Sequence, residues 1–184
     1  NLTHFNCDIL NDDLPEIEAI DTLIYCPGSI NLKPLSSLSI DDFKSDMEIN
    51  FYGALKSIKH FLPQLKKAAS PSIVLFSSAA SQIGMPFHSS IASSKSAIEG
   101  LVKSLAAEFG AKIRINAIAP SIADTTLASR ILRNDSIKEK ITENHPLKRI
   151  LNTKEIAETV NFLFSAKSMS GQIIVLDNGI TTLK

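Results

Sequence analysis

The chain has 184 residues, 44% of them hydrophobic, so we expect a single domain with a substantial core over residues 1–184. Nineteen Lys and Arg residues balance nineteen Asp and Glu residues, which argues against the basic surface that neutralises nucleic-acid phosphates. No apolar run reaches the length of a membrane span. Cys7 and Cys26 fit neither a disulfide framework nor a metal site. We therefore expect a cytoplasmic protein with no metal, no nucleic-acid partner and no membrane partner.

Short apolar runs rich in Ile, Leu and Val recur along the chain, at residues 22–25, 72–76, 114–118 and 172–176. Their near-continuous hydrophobicity is typical of strands that are buried on both faces of a parallel sheet. Residues 1–8 are interpreted as the middle and the exit of one more strand. This position of a strand at the first residue predicts that the chain lacks its true N-terminus.

Longer segments with a helical period lie between the strands, at residues 41–67, 89–109 and 154–165. Ser39 or Asp41 can cap the first helix, and Gly110 suits a left-handed end of the second. Strand and helix alternate throughout, which predicts an α/β doubly wound fold with a mostly parallel sheet. In such folds the ligand lies outside the carboxyl ends of the strands.

Four segments carry a specific resemblance: residues 73–78, 84–86, 93–108 and 113–120. They run Ile-Val-Leu-Phe-Ser-Ser, Gly-Met-Pro, a helix that begins Ser-Ser-Lys, and Ile-Arg-Ile-Asn-Ala-Ile-Ala-Pro. In these segments the chain resembles the short-chain dehydrogenase/reductase family, in particular its 3-oxoacyl-(acyl carrier protein) reductase-like members. The resemblance covers essentially the whole chain. It implies a Rossmann-like domain from which the N-terminal βαβ unit is missing.

The resemblance also implies an activity, the NAD(P)-dependent transfer of a hydride between a cofactor and a carbonyl or alcohol carbon. Ser78 would hydrogen-bond the reacting oxygen, and Lys95 would bind the nicotinamide ribose and lower the pKa of a neighbouring tyrosine. Asn50 matches the asparagine of the family's proton relay. Such groups polarise and protonate the alkoxide that hydride arrival creates, while the cofactor supplies the redox step.

The position of the family's catalytic tyrosine is occupied by Ile91, four residues before Lys95 and 13 after Ser78. Isoleucine has no dissociable proton, so the predicted site is degenerate and its activity is expected to be impaired. His88 could swing in as a proton donor. Ser90 and Ser94 should point elsewhere, because only residues three or four apart share a helix face.

The cofactor match is also incomplete, because no glycine-rich phosphate loop occurs among the seven glycines. The loop would belong to the missing unit of about 30–40 residues, which we expect a longer natural chain to carry. The alternative is a true fragment, which would fold poorly. NAD or NADP is the implied cofactor, with NADP favoured. The implied cofactor-binding residues are Asp8, Ile9, Gly28, Lys95, Pro120, Ile122 and Thr125.

Three functions remain open at this point. The chain could be an active or residually active oxidoreductase, a catalytically silent nucleotide-binding or scaffold protein, or a structural subunit that pairs with an active paralogue. The loop at residues 124–147 would set the choice of a small carbonyl or alcohol substrate, and its Leu127, Ile131 and Leu132 suggest an apolar lid. The resemblance implies a homodimer or homotetramer.

Overall fold

The computed structural model describes residues 2–183. Four parallel strands form one sheet in the order β1-β2-β3-β4. They are β1 (Thr22–Ile24), β2 (Ser72–Phe76), β3 (Arg114–Pro120) and β4 (Ile173–Leu176). Parallel neighbours in sequence order require a crossover between each pair, and the helices supply these crossovers. The predicted parallel α/β fold is confirmed.

The helices are α1 (Ile40–Met47), α2 (Gly53–Leu65), α3 (Ser89–Phe109), α4 (Asp135–Asn144) and α5 (Thr153–Ser165). Short 3₁₀ turns lie at Leu35–Ser37 and Ala79–Ser81. Ser39 begins α1 with a reciprocal capping box, in which its hydroxyl accepts from the Asp42 amide and the Asp42 carboxylate accepts from the Ser39 amide. The helix predicted at 89–109 has the predicted bounds.

Alternate residues along the central strands point to opposite faces of the sheet, so the core has two parts. On one face Ile73, Leu75 and Ile115 pack with the buried sides of α2 and α3. On the other face Val74 and Ile118 pack against α5. Helices therefore cover both faces, as the doubly wound pattern requires, and the carboxyl ends of the strands are left open for a site.

The helix predicted over residues 41–67 is interrupted by one π-helical turn, Glu48–Tyr52, which separates α1 from α2. The Gly53 amide donates to the carbonyl of Glu48, five residues earlier, so the turn is widened by one residue. Turns of this kind are frequent at functional sites. This one holds Asn50, and its position decides where that side chain points.

Three sequence-based expectations are corrected. Residues 2–8 form no strand: Leu2 is 97% exposed, and the segment has no neighbouring strand to supply the hydrogen bonds that a strand needs. Helix α4 was not predicted, because none of its residues is buried and it lacks an apolar stripe. Gly110 has the expected positive φ of 52°, but its ψ of −121° lies outside the left-handed helical region.

Candidate active site

A cavity of about 310 Å³ lies at the carboxyl ends of β1, β2 and β3. Small polar residues that follow these strands form its floor, and apolar residues from α3, α5 and the loop after β3 form its walls. The size is at the lower end of the range for small-molecule sites. The cavity is therefore where a parallel α/β sheet is expected to hold a ligand.

Lys95 reaches this cavity from α3 and is only 8% exposed. Its Nζ donates a hydrogen bond to the Phe76 carbonyl at the end of β2, at 3.0 Å. Burial lowers the pKa of Lys95 from 10.5 to about 8, and the nearby Asp46 carboxylate opposes that decrease. A buried ammonium that needs anionic or oxygen-rich partners is thus held at the base of the cavity.

Asn50 is 1% exposed, and its side chain is fixed on both ends. Nδ2 donates to the Asp46 carbonyl at 2.9 Å and to the Ser29 hydroxyl at 3.1 Å, and Oδ1 accepts from the Ser29 amide at 3.4 Å. A Cβ atom at Gly28 would lie 3.0 Å from Asn50 Oδ1 and 3.6 Å from Lys95 Nζ. The absence of a side chain at Gly28 therefore leaves these two polar groups space to border the cavity together.

Ser78 borders the same cavity, and its hydroxyl accepts a hydrogen bond from the Ala80 amide at 3.2 Å. Its neighbour Ser77 donates to a carboxylate oxygen of Glu99 on α3, at 2.5 Å. This bond ties the end of β2 to the helix that carries Lys95. The Ser78 hydroxyl keeps its own proton available to a ligand oxygen.

Ile91 is 3% exposed and lies in the cavity wall, one helical turn before Lys95. His88 borders a different hollow, and its Nδ1 lies 2.7 Å from the Pro86 carbonyl. Ser94 bonds back to the Ile91 carbonyl, and Ser90 turns toward α1. The structure therefore brings neither His88 nor these two serines into the cavity where the family's tyrosine would act.

The loop after β3 provides the opposite wall, with Pro120, Ile122 and Thr125 at the cavity. Ser121 lies between them, and its hydroxyl oxygen is buried without a hydrogen-bond partner in residues 2–183. Buried hydroxyl groups are almost always paired, so this hydroxyl is free to bond a polar group that enters the cavity. Leu127 also borders the cavity, whereas Ile131 and Leu132 do not.

Asp8 and Ile9 lie outside this cavity. The Asp8 carboxylate accepts hydrogen bonds from the Asn11 side chain and from the Leu10 amide, which lower its pKa. Ile9 packs against the larger part of the core. Asp8 thus closes a local turn, and a role for either residue beside an adenine ring stays a prediction.

Tyr25 is a site-shaping residue that the sequence analysis did not single out. It is 5% exposed, and its hydroxyl donates to the Ile49 carbonyl within the π-helical turn, at 2.6 Å. A Cβ atom at Gly53 would overlap that hydroxyl. Tyr25 and Gly53 therefore fit together to hold the turn that carries Asn50. Burial raises the pKa of Tyr25 to about 12, so it remains a hydrogen-bond donor.

A second missed residue is Asp46 on α1, whose side chain is fully buried beside the cavity. Its carboxylate accepts from the hydroxyls of Ser29 and Ser90 and from the side-chain amide of Asn31. Three donors, two from the loop after β1 and one from α3, meet on this one group. Only a contact between distant segments reveals the arrangement, so no local motif could have predicted it.

The residues fit one half of a nicotinamide dinucleotide. The cavity has apolar walls for a flat ring, a buried ammonium for ribose hydroxyls, and the orphaned Ser121 hydroxyl for a polar group. The 184 residues contain no glycine-rich cradle for the phosphates. Within residues 2–183 no three His, Cys, Asp or Glu side chains group as metal ligands. No helix in that range is long and apolar enough to cross a membrane.

Comparison with known proteins gives the affiliation of the chain. Residues 10–181 match the family model described as enoyl-(acyl carrier protein) reductase. The peroxisomal 2,4-dienoyl-CoA reductase of Saccharomyces cerevisiae is 35% identical over 79% of the chain. That match spans 50% of the yeast enzyme, so the chain covers about half of this relative.

Two solved structures show the same fold. A short-chain dehydrogenase/reductase from Brucella melitensis has a TM-score of 0.81 and 29% identity, over 88% of this chain and 65% of its own. The NADP-bound structure of ElxO has a TM-score of 0.80 and 29% identity, over 87% of this chain and 66% of its own. With the family model matched over nearly all of its length, the chain belongs to the short-chain dehydrogenase/reductase family.

Proposed function

We propose that the chain is the catalytic part of an NAD(P)-dependent oxidoreductase that acts on a carbonyl or alcohol carbon of a small molecule. The observation that carries the proposal is the buried Lys95 ammonium in one cavity with Asn50 and Ser78. NADP is the favoured cofactor, in keeping with the NADP bound to ElxO. A cytoplasmic location and a homodimeric or homotetrameric state remain proposals.

The cofactor would supply the hydride chemistry, and the chain's residues would bind and orient the reactants. Lys95 would donate to ribose hydroxyls, with Gly28, Pro120, Ile122 and Thr125 around the ring and sugar. Ser78 would donate to the substrate oxygen, where negative charge develops in the transition state. The apolar walls exclude water, which strengthens both interactions.

Binding of NADPH and NADH, followed by cofactor fluorescence, tests this proposal. Lys95→Met should raise the dissociation constant at least tenfold, which corresponds to about 1.4 kcal/mol. Lys103→Met is the matched control, because Lys103 is exposed on the same helix. Equal affinities for the two variants would remove Lys95 from the cofactor site and contradict the proposal.

A catalytically silent nucleotide-binding protein is the second candidate, and Ile91 favours it. An apolar side chain at the position of the proton donor removes a group that contributes roughly 10²–10⁴-fold in rate. This candidate predicts that NADPH binds with the Lys95 dependence described above and that no carbonyl compound is reduced. Restoring the donor with Ile91→Tyr should then create turnover in the purified protein.

A further inference from the structure

The buried Asp46 carboxylate is the least expected group near the cavity. It is 0% exposed, and it accepts from Ser29 Oγ at 2.5 Å, from Ser90 Oγ at 2.6 Å and from Asn31 Nδ2 at 3.1 Å. Burying a carboxylate is costly even when it is hydrogen-bonded, and an apolar side chain of similar size would serve stability at least as well. The arrangement therefore calls for a role other than packing.

Ser29 connects this carboxylate to the cavity. Ser29 borders the cavity, whereas Asp46 does not. The Ser29 hydroxyl donates to Asp46 and accepts from Asn50 Nδ2 at 3.1 Å, so its proton points toward the carboxylate and its oxygen is fixed by Asn50. A hydroxyl held between a carboxylate and a ligand cavity has the geometry of a group that passes protons.

Ser90 places the same carboxylate next to the defective position. It precedes Ile91 in α3, and its hydroxyl donates to Asp46 Oδ2. The carboxylate thus anchors the first turn of α3, just where the side chain of residue 91 enters the cavity wall. Asp46, a buried proton acceptor, is thus bonded to the residue next to Ile91, whose side chain has no proton to give.

We propose that Asp46 and Ser29 form a proton relay that takes the role of the absent tyrosine. This inference rests on the proposed function. In alcohol oxidation the cofactor, held by Lys95, would accept the hydride of the broken C–H bond, and the electron pair of the O–H bond would form the carbonyl bond. The released proton binds to Ser29 Oγ, directly or through one water, as the Ser29 proton moves to Asp46. Carbonyl reduction runs the same steps in reverse.

The charged and titratable groups around the relay are few. Lys95 faces Asp46 from α3, and Cys26 lies near Lys95 at the end of β1. Burial raises the pKa of the Cys26 thiol, while Lys95 lowers it. One turn earlier in α1, Asp42 pairs with Lys33 and does not contact the Asp46 carboxylate in residues 2–183. Asp46 is therefore the carboxylate through which the relay would take up a proton.

A double-mutant cycle separates a relay from a structural role. Asp46→Asn should lower kcat for alcohol oxidation by about 10²–10⁴-fold. In a protein that also carries Ile91→Tyr, Asp46→Asn should lower kcat less than about tenfold, because the tyrosine offers the proton a second route. A structural role predicts equal losses in both backgrounds. Asp41→Asn, an exposed carboxylate on the same helix, is the matched control.

Two further measurements guard against a variant that fails to fold. Ser29→Ala removes the relay hydroxyl and leaves two donors on Asp46, so it should lower kcat without a comparable rise in KM. Ser93→Ala, an exposed serine of α3, is its control. A further measurement, NMR titration of Lys95, does not depend on activity. The pKa of Lys95 should fall below about 8 in Asp46→Asn, because the negative charge of Asp46 is gone, and should stay at about 8 in Ser29→Ala.

The outcomes distinguish the relay from the proposed function. Turnover that depends on Asp46 and Ser29 only when residue 91 is isoleucine supports the relay. The relay is overturned, and the oxidoreductase proposal stands, if kcat is unchanged by Asp46→Asn and Ser29→Ala. The same holds if these substitutions lower kcat equally with isoleucine and with tyrosine at residue 91. NADPH binding without any turnover overturns the relay as well. Failure to bind either cofactor contradicts the proposed function itself.

Discussion

Replacing Lys95 by methionine should stabilise the protein at neutral pH. The ammonium is 8% exposed, and burial lowers its pKa from 10.5 to about 8. This difference corresponds to about 3 kcal/mol by which the fold disfavours the charged lysine. Methionine has a similar length and no charge. It loses the hydrogen bond to Phe76, which is worth about 1.5–3 kcal/mol for a charged donor, and the attraction of Asp46, which the net pKa shift already includes. The net gain expected at pH 7 is up to about 1.5 kcal/mol.

The pH dependence gives this prediction its sign. Between about pH 8 and 10.5 the unfolded lysine is protonated and the folded one is not, so the unfolded state binds more protons and the wild-type free energy of unfolding rises with pH. The penalty is fully present below pH 8 and disappears toward pH 10.5. Lys95→Met has no such group, so its advantage over the wild type should shrink across that window.

Urea unfolding of both proteins at pH 7 and at pH 10 measures the difference directly, because contributions from other titrating groups cancel between them. We expect the free energy of unfolding of the methionine variant to exceed that of the wild type by more at pH 7 than at pH 10. It would be refuted by a difference that is constant with pH, since Lys95 would then not be a buried cation. A stability penalty at Lys95 is what a residue kept for binding or catalysis should show.

Three other substitutions test the surrounding structure. Gly53→Ala should destabilise the protein by several kcal/mol, because the new Cβ would overlap the Tyr25 hydroxyl. Gly100→Ala on α3 has open space around it and should stabilise the protein by about 0.5–1 kcal/mol, so equal melting temperatures of the two variants would exclude the tight fit at Gly53. Arg114→Leu should cost about 2–4 kcal/mol, because the buried guanidinium donates to the Leu163, Phe164 and Ala166 carbonyls at the end of α5, and an unchanged urea midpoint would show that this end needs no partner. Arg149 and the Asn152 amide lower the pKa of Glu155 from 4.5 to about 2 in the folded protein, so between these pH values the unfolded state binds more protons and the wild type loses stability as the pH falls. Glu155→Gln should lose less stability over this range, and identical acid unfolding curves would contradict this.

The strands and the long helix α3 could be predicted from local patterns. Residues 73–76 are a continuous apolar run, and in the strand that they form with Ser72 every residue but Phe76 is buried. The bounds of α3 follow from its period and from Gly110. Helix α4 has no buried residue, yet Asn134 before a run of Lys and Glu residues was a readable start signal. Residues 2–8 show the opposite error, because apolar character alone does not make a strand without a neighbour.

The site divides in the same way. The family resemblance identified Ser78, Lys95 and Asn50, and the fold brings all three to one cavity. The contacts of Asp46 and Tyr25 join segments 15 to 44 residues apart, and neither residue belongs to a motif. The π-helical turn is also invisible to a pattern that reads residues 41–67 as one regular helix. Polar contacts between segments that are distant in the chain could therefore not be predicted from the sequence.

The most direct test of the central claim is the fate of a deuterium label. NADPH carrying deuterium at the transferred position is incubated with the protein and a panel of small carbonyl compounds, and the products are examined by mass spectrometry. The account predicts deuterium on the carbinol carbon of at least one product, strongly reduced in Lys95→Met and unchanged in Lys103→Met. Bound NADPH that passes no deuterium to any compound, even after Ile91→Tyr, would contradict an oxidoreductase function.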